Sequence, residues 1–402
     1  MSIIKLGILR ETKTPPDKRV AITPNECKRI AKKYPHIQIY VQKSNIRCFS
    51  DDEYRNIPGL TLTDNLEDCD VLIGVKEAKI DTLLPNKTYF FFSHTTKQQP
   101  YNKKLLQTIL EKNITLVDYE HLTNNDSVRI IAFSRWAGII GCYNGLKALG
   151  EKLNQFNLKP AYILNDREKV HQELDKITLP PIKILITGNG RASNGALEIL
   201  DYMGIKRVSH EDYLNCKYDE PVYCQLAPKY YVERSDGEQF NLQHFIDNPK
   251  MYKSIFKPYT EVTDMLVTCH YWDPNSPVLF TNNHMKDDAF KIMTIADITC
   301  DIKGSIPSTL RPSTIEQPVY GYLPHMDKET DPHEIDAVMI MAVDNLPGEL
   351  PKDASTDFSN TLFEDIIPSL LEGDSKNIIH KATIAKDGKL TERYSYLKDY
   401  VA

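Results

Sequence analysis

The sequence predicts an α/β protein with parallel sheets, organised as two domains. Three observations carry this: short apolar runs alternate with polar, helix-patterned stretches over the first 125 residues, a strand near residue 183 runs straight into a glycine turn and a helix, and 402 residues exceed what one core usually organises. Parallel strands follow because each is joined to the next through a crossover instead of a tight hairpin.

Taken in order, the first apolar run is I-I-K-L-G-I-L, followed by the helix-patterned P-N-E-C-K-R-I-A-K-K-Y and the alternating strand I-Q-I-Y-V. V-L-I-G-V (71–75) and Y-F-F-F-S (89–93) are apolar throughout, as strands covered on both faces are. L-L-Q-T-I-L-E-K and I-T-L-V-D-Y repeat the helix and strand pattern. From about Arg129 to Phe156 apolar residues recur at three and four, which predicts one long helix. Pro160, Pro180 and Pro181 then frame a charged stretch that reads as a boundary between units.

I-K-I-L-I-T opens the next unit and leads into G-N-G-R-A-S-N-G, a strand, glycine turn and helix that together form a dinucleotide-binding unit. Gly188 and Gly190 let the backbone approach a pyrophosphate at the helix N-terminus. The third glycine of the usual pattern is replaced by Ser193, with Gly195 following. Counting 20 residues from Gly188 to find the ribose-selecting acid lands on Val208; Glu211 and Asp212 come later and Lys206 and Arg207 just before, so NAD and NADP both stay open. Residues 213–265, rich in Tyr, Lys and Asp, read as an insertion, after which M-L-V-T-C-H-Y-W and I-M-T-I-A-D-I resume the sheet. V-M-I-M-A-V-D-N-L-P and an amphipathic helix close the chain.

Composition narrows the function. Net charge −6 with 26% charged residues argues against nucleic acid as a partner, and the 22 tyrosines do not alternate with Lys/Arg along a strand. Since no apolar run approaches a membrane span, a cytoplasmic protein with no membrane partner is expected. Cys27, Cys48, Cys69, Cys142, Cys216, Cys224, Cys269 and Cys300 have no C-x-x-C spacing, so they read as reduced residues, and no metal site is expected.

The chemistry concentrates between Lys76 and Lys97. Lys76, Glu77, His94 and Lys97 stand at the ends of two buried apolar runs, 18 residues separate Lys76 from His94, and that separation fits adjacent parallel strands whose ends share a pocket. A Lys/His pair there suits proton transfer. Trp136 and Trp272 read as core.

R-E-T-K at 10–13, K-R-V-A-I-T-P at 18–24, G-V-K-E at 74–77, K-T-Y-F-F-F-S-H-T-T-K at 87–97, L-V-D-Y-E at 116–120 and V-D-N-L-P-G-E-L-P at 343–351 occur in this order. With them the chain resembles the alanine dehydrogenase and pyridine nucleotide transhydrogenase family nearly end to end. S-H-T-T-K, D-Y-E and the 213–265 segment with the Y-W that follows are similar to its saccharopine dehydrogenase (lysine-forming) and lysine-2-oxoglutarate reductase branch.

The resemblance implies two Rossmann-like domains with an interdomain active-site cleft, residues 1–134 plus 330–402 forming the catalytic domain and 135–329 the dinucleotide-binding domain. It implies an oxidoreductase of lysine metabolism that interconverts L-lysine plus 2-oxoglutarate and saccharopine with NAD(H) or NADP(H). Lys76 and His94 would be the acid/base pair, and Arg19, Glu77, Lys97, Glu120 and Arg129 would bind substrate, with Arg10 and Arg135 as weaker cationic candidates. Gly188, Gly190, Arg191, Ser193, Thr268, Cys269, Asp297 and Asp344 would meet the cofactor. A glutamate-forming saccharopine dehydrogenase, if it is a partner in the pathway, would be a separate chain. Two other readings stay open: an alanine dehydrogenase-like enzyme, and a non-catalytic dinucleotide-binding protein.

Overall fold

The computed structural model describes residues 4–402. In chain order the strands are β1 (Ile4–Ile8), β2 (Ile37–Gln42), β3 (Leu60–Thr63), β4 (Val71–Lys76), β5 (Thr88–Phe92) and β6 (Thr115–Asp118). There follow β7 (Lys183–Thr187), β8 (Lys206–Arg207), β9 (Val222–Leu226), β10 (Val232–Arg234), β11 (Tyr252–Ser254), β12 (Met265–Thr268) and β13 (Thr294–Asp297). β14 (Val319–Leu323), β15 (Lys328–Thr330), β16 (Val338–Met341), β17 (Thr383–Lys386) and β18 (Lys389–Leu390) complete the set.

Two compact units result, residues 1–133 with 351–402, and residues 134–350. The first has an eight-stranded sheet in the order β18-β17-β6-β5-β4-β1-β2-β3. β1 to β6 are mutually parallel, and β17 joins β6 antiparallel. Leu72, Ile73 and Val75 of β4 and Phe90 and Phe91 of β5 lie within its core, which is why both runs lack polar alternation.

The second unit has the order β15-β14-β16-β13-β12-β7-β9-β8, with β14 and β15 antiparallel at one edge. Its junction was expected at 329/330 but falls after Leu350, because Val338–Met341 pairs parallel with Thr294–Asp297 in the middle of this sheet. The 213–265 segment is likewise no simple insertion. Val222–Leu226 is a sheet strand wedged between β7 and β8, and the added piece is the β10–β11 ribbon.

The long helix starts at Ser134, five residues later than the periodicity predicts, and ends at Leu153. Arg129 instead pairs with Thr123 in an isolated bridge, and the Ile130 N–H donates to the Leu122 carbonyl, so this backbone is already committed. Helix Ser134–Leu153 packs closely on helix Arg191–Tyr202. A Cβ at Gly138 would lie 1.8 Å from the Ala192 carbonyl oxygen, and one at Gly195 would lie 2.0 Å from that of Arg135.

Candidate active site

In the first unit β4 and β5 are parallel neighbours with Lys76 opposite Phe92, and the register shifts between Ile73 and Lys76. Glu11 accounts for the shift. Beyond the end of β1, its carboxylate accepts the Val75 N–H at 2.7 Å and the Lys76 N–H at 2.9 Å, replacing the strand that would otherwise pair there. Burial, with Asp17 nearby, raises the Glu11 carboxyl to about 7. Burial also lowers the Lys76 ammonium, as do the charges of Arg19 and Lys13, while Asp17 and Glu77 oppose them. Such an amine gives up its proton more readily than a solvated lysine.

Arg19 sits beside Lys76 in a different role from the one expected. It is buried, its Nε and Nη2 both donate to the Asp17 carboxylate at 2.9 and 2.5 Å, and its guanidinium lies 4.3 Å from the centre of the Phe133 ring. With that fork engaged, Arg19 acts on Lys76 through its charge. Glu77 pairs with Lys13 at 2.6 Å through one oxygen, and the other, buried, has no hydrogen-bond partner among the described residues. That oxygen is an acceptor suited to an ammonium group.

His94 follows β5 in the left-handed conformation (φ 53°), as does Gln98 (φ 53°), and the two bracket the single turn Thr95–Lys97. Asp118 at the end of β6 fixes this turn. Its Oδ2 accepts from the Ser93 N–H at 3.0 Å and from the Ser93 hydroxyl, while its Oδ1 accepts the Glu120 N–H at 2.8 Å. One buried carboxylate thus sets both the His94 turn and the Glu120 turn.

Glu120 is the meeting point of the cations. Its Oε1 is 3.3 Å from Lys97 Nζ, 3.4 Å from Arg129 Nη2 and 3.5 Å from His94 Nδ1, the last without hydrogen-bond geometry. Burial alone would raise the Glu120 carboxyl, but the imidazole and the two cations outweigh it and hold the group well below the usual carboxylate range. Lys76, Glu77, His94, Lys97, Glu120 and Arg129 therefore all stand at the C-terminal ends of strands or in the segments just beyond them, where α/β sheets place their ligands. Arg10 is instead paired with Asp64 at 3.4 Å, and Arg135 with both oxygens of Glu198 at 2.5 and 2.6 Å.

In the second unit Gly188 has φ 89°, and a Cβ there would lie 2.9 Å from the Cys269 carbonyl oxygen. Gly190 caps helix Arg191–Tyr202 and has open space where a Cβ would project. Arg191 opens the helix and is exposed. A tight turn, an accessible backbone and a helix N-terminus fit a pyrophosphate. Gly195 supplies the close helix packing that the usual third glycine provides, here against helix Ser134–Leu153.

Several expected ligands point inward. Ser193 is buried, donates to the Gly190 carbonyl at 2.8 Å and accepts from Gln225 at 3.3 Å, so it braces the loop from behind. Asp297 is fully buried with both oxygens taken: Thr268 and Thr299 hydroxyls donate to Oδ1, and Thr309 donates to Oδ2. It organises the loop after β13 instead of meeting a ribose, and Thr268 serves it. Burial pushes the Cys269 thiol up, which leaves it inert at neutral pH. Asp344 is exposed at the end of its segment.

The search for a ribose acid at Val208 followed the wrong strand. β9 lies next to β7, so the residues to read are those at its end, Gln225 to Tyr230, and none is acidic. Gln225 donates to the Gly188 carbonyl at 3.1 Å and accepts from Arg207 at 2.8 Å.

Residues 7–140 match the model of the alanine dehydrogenase/PNT N-terminal domain. This chain carries that domain. Its fold is that of the family's solved structures: an L-alanine dehydrogenase superposes with a TM-score of 0.65 at 14% identity, covering 99% of this chain and all of the other. A transhydrogenase from Sinorhizobium meliloti gives 0.60 at 15%, covering 96% of this chain and 98% of the other.

Among curated relatives, the alpha-aminoadipic semialdehyde synthase of Arabidopsis thaliana is 29% identical, and the mitochondrial one of Mus musculus 28%. Each match covers 98% of this chain, with 41% and 47% of the relative. The chain thus spans less than half the length of these relatives. The saccharopine dehydrogenase [NAD(+), L-lysine-forming] of Yarrowia lipolytica is 24% identical over 92% of each chain.

No helix among the described residues is long and apolar enough to cross a membrane, and none of their His, Cys, Asp and Glu side chains group as metal ligands. Sequence reasoning missed Glu11, Lys13, Asp17 and Asp118. The R-E-T-K motif contained two of them, but a carboxylate bonded to backbone 64 residues away leaves no local signal.

Proposed function

We propose that this chain is a nicotinamide-dependent oxidoreductase that interconverts L-lysine plus 2-oxoglutarate and saccharopine. The observation that carries the reading is the convergence of Lys97, Arg129 and His94 on Glu120, beyond β5 and β6, of which β5 adjoins the strand that ends in Lys76. Two cations held by a single carboxylate suit a dicarboxylate substrate, which can displace that partner and bind both. The similarity to saccharopine dehydrogenase and to the aminoadipic semialdehyde synthases supports the same substrate class.

A lysine ε-amine is mostly protonated at pH 7, and freeing its lone pair costs about 4–5 kcal/mol. Lys76, with its lowered ammonium, and His94 would take that proton, freeing the lone pair with which nitrogen attacks the keto carbon. They return a proton to the hydroxyl that leaves as water, giving the C=N bond. Glu77, through its unpartnered oxygen, receives a substrate ammonium, and Arg129 and Lys97 orient the carboxylates. Gly188, Gly190 and Arg191 would hold the cofactor, whose reduced nicotinamide, when bound, supplies the hydride that reduces C=N. The proton-transfer groups come from the first unit and the dinucleotide cradle from the second.

The second reading, an amino-acid dehydrogenase acting on alanine, draws on the fold shared with alanine dehydrogenase. A small monocarboxylate, however, needs fewer cations than Lys97 and Arg129 supply. The proposed compartment is the cytoplasm; the mouse relative is named as mitochondrial, and cell fractionation would separate the two.

Absorbance at 340 nm, with lysine plus 2-oxoglutarate and NADH or NADPH in parallel and alanine plus NAD as the comparison, tests the reading. Oxidation that requires both lysine and 2-oxoglutarate supports it, and turnover of alanine alone moves the assignment to the second reading. Lys76→Met combined with His94→Gln should abolish turnover while the protein still binds dinucleotide.

A further inference from the structure

His270 and Trp272, just past the end of β12, each keep a buried ring nitrogen with no hydrogen-bond partner among the described residues. Buried N–H groups are nearly always satisfied, so two orphans within three residues ask for a missing partner. His270 lies beside the glycine loop. A Cβ at Gly188 would come within 3.0 Å of the His270 Cα.

The tautomer of His270 follows from its neighbours. Thr187, fully buried, holds its hydroxyl 2.7 Å from His270 Nδ1, and that oxygen accepts the Cys269 N–H at 3.3 Å. No other acceptor for the hydroxyl hydrogen occurs among the described residues, so Thr187 donates to Nδ1. A neutral ring accepting at Nδ1 carries its proton on Nε2, the nitrogen without a partner. Burial lowers the His270 imidazolium to about 4, so the ring is neutral at pH 7.

We propose that His270 Nε2–H is a neutral hydrogen-bond donor to an oxygen of the ligand on the Gly188–Gly190 loop, either a phosphate oxygen or a ribose hydroxyl of the dinucleotide. The proposal rests on the dinucleotide reading of that loop. It makes His270 a binding and positioning residue, with Thr187 fixing the direction of its proton. In an open parallel sheet the ligand crevice lies outside the carboxyl ends of the strands, which is where β12 delivers this side chain.

The test is equilibrium binding of NADH, ADP and adenosine to the full chain, by calorimetry, for the wild type, His270→Leu and His270→Gln. Glutamine keeps both functions, its amide oxygen accepting from Thr187 and its NH2 donating onward. His270→Leu should weaken NADH and ADP binding three- to tenfold, and His270→Gln should stay within twofold of wild type. A loss on ADP but not on adenosine identifies a phosphate acceptor, and a loss on both identifies a ribose hydroxyl. Nitrogen-15 NMR of labelled histidine should show the Nε2–H tautomer in the free protein and a shift of that nitrogen when ADP is added. His270→Leu with wild-type affinity, or an Nδ1–H tautomer, overturns the proposal and leaves the dinucleotide reading standing. A wild type that binds neither NADH nor ADP overturns both. Should His270→Leu fail to fold, His270→Gln and the NMR tautomer decide.

Discussion

Glu11 holds Lys76 by its backbone. The carboxylate takes the N–H groups of Val75 and Lys76 at 2.7 and 2.9 Å where β4 leaves its regular pairing, so the angle at which the Lys76 side chain departs is set by a residue 65 positions earlier. Glu11→Ala strands two buried donors, at about 1–3 kcal/mol each, and should lower the unfolding free energy by about 2–5 kcal/mol in urea titrations. Glu11→Gln, which keeps an acceptor, should lose less. A loss under 0.5 kcal/mol for alanine, on the order of a neutral surface change, would show that the contact is dispensable.

Glu77 opposes the burial and cationic neighbours that lower the Lys76 ammonium. Glu77→Gln removes a negative charge that favours the protonated amine, so the limb of the pH–rate profile that reports Lys76 should move to lower pH. A limb that stays in place, or moves upward, would assign it to another group.

Glu349 gives a prediction with a defined pH window. Burial pushes its carboxyl up to about 8 against an ordinary 4.5, although Asn144 donates to it at 2.7 Å. The folded state therefore binds the extra proton between pH 4.5 and 8, and the stability this contributes is lost as pH rises through that range. Glu349→Gln should match the wild type near pH 5 and exceed it at pH 9 by on the order of 4 kcal/mol. Thermal melts at the two pH values check the sign. Equal offsets at both would mean that Glu349 is ionised throughout.

Gly138 has no room for a methyl group, since its Cβ would lie 1.8 Å from the Ala192 carbonyl oxygen. Gly138→Ala should push helix Ser134–Leu153 off helix Arg191–Tyr202, cost about 1–3 kcal/mol or more, and weaken dinucleotide binding because the loop is carried by the second helix. Unchanged melting and unchanged affinity for NADH would refute the close-packing account.

Runs such as V-L-I-G-V and Y-F-F-F-S state their burial in composition, so the adjacency of the Lys76 and His94 strands was legible. Roles that depend on which strand sits beside which were not. Counting along the chain to Val208 assumed that the strand after the glycine helix would neighbour β7, whereas β9 takes that place and brings Gln225 to the loop. Asp17 engages Arg19, and three threonines engage Asp297. A charged residue in a motif shows its sign in the sequence but not whether a neighbour already occupies it.

The left-handed backbone at His94 has a consequence for anyone who engineers this protein. Residues other than glycine hold φ 53° at a cost of about 1 kcal/mol or more, and asparagine holds it more easily than most. A variant library sorted on heat resistance would therefore drift toward glycine or asparagine at position 94. Under the proposed chemistry, its best-scoring members would be the inactive ones.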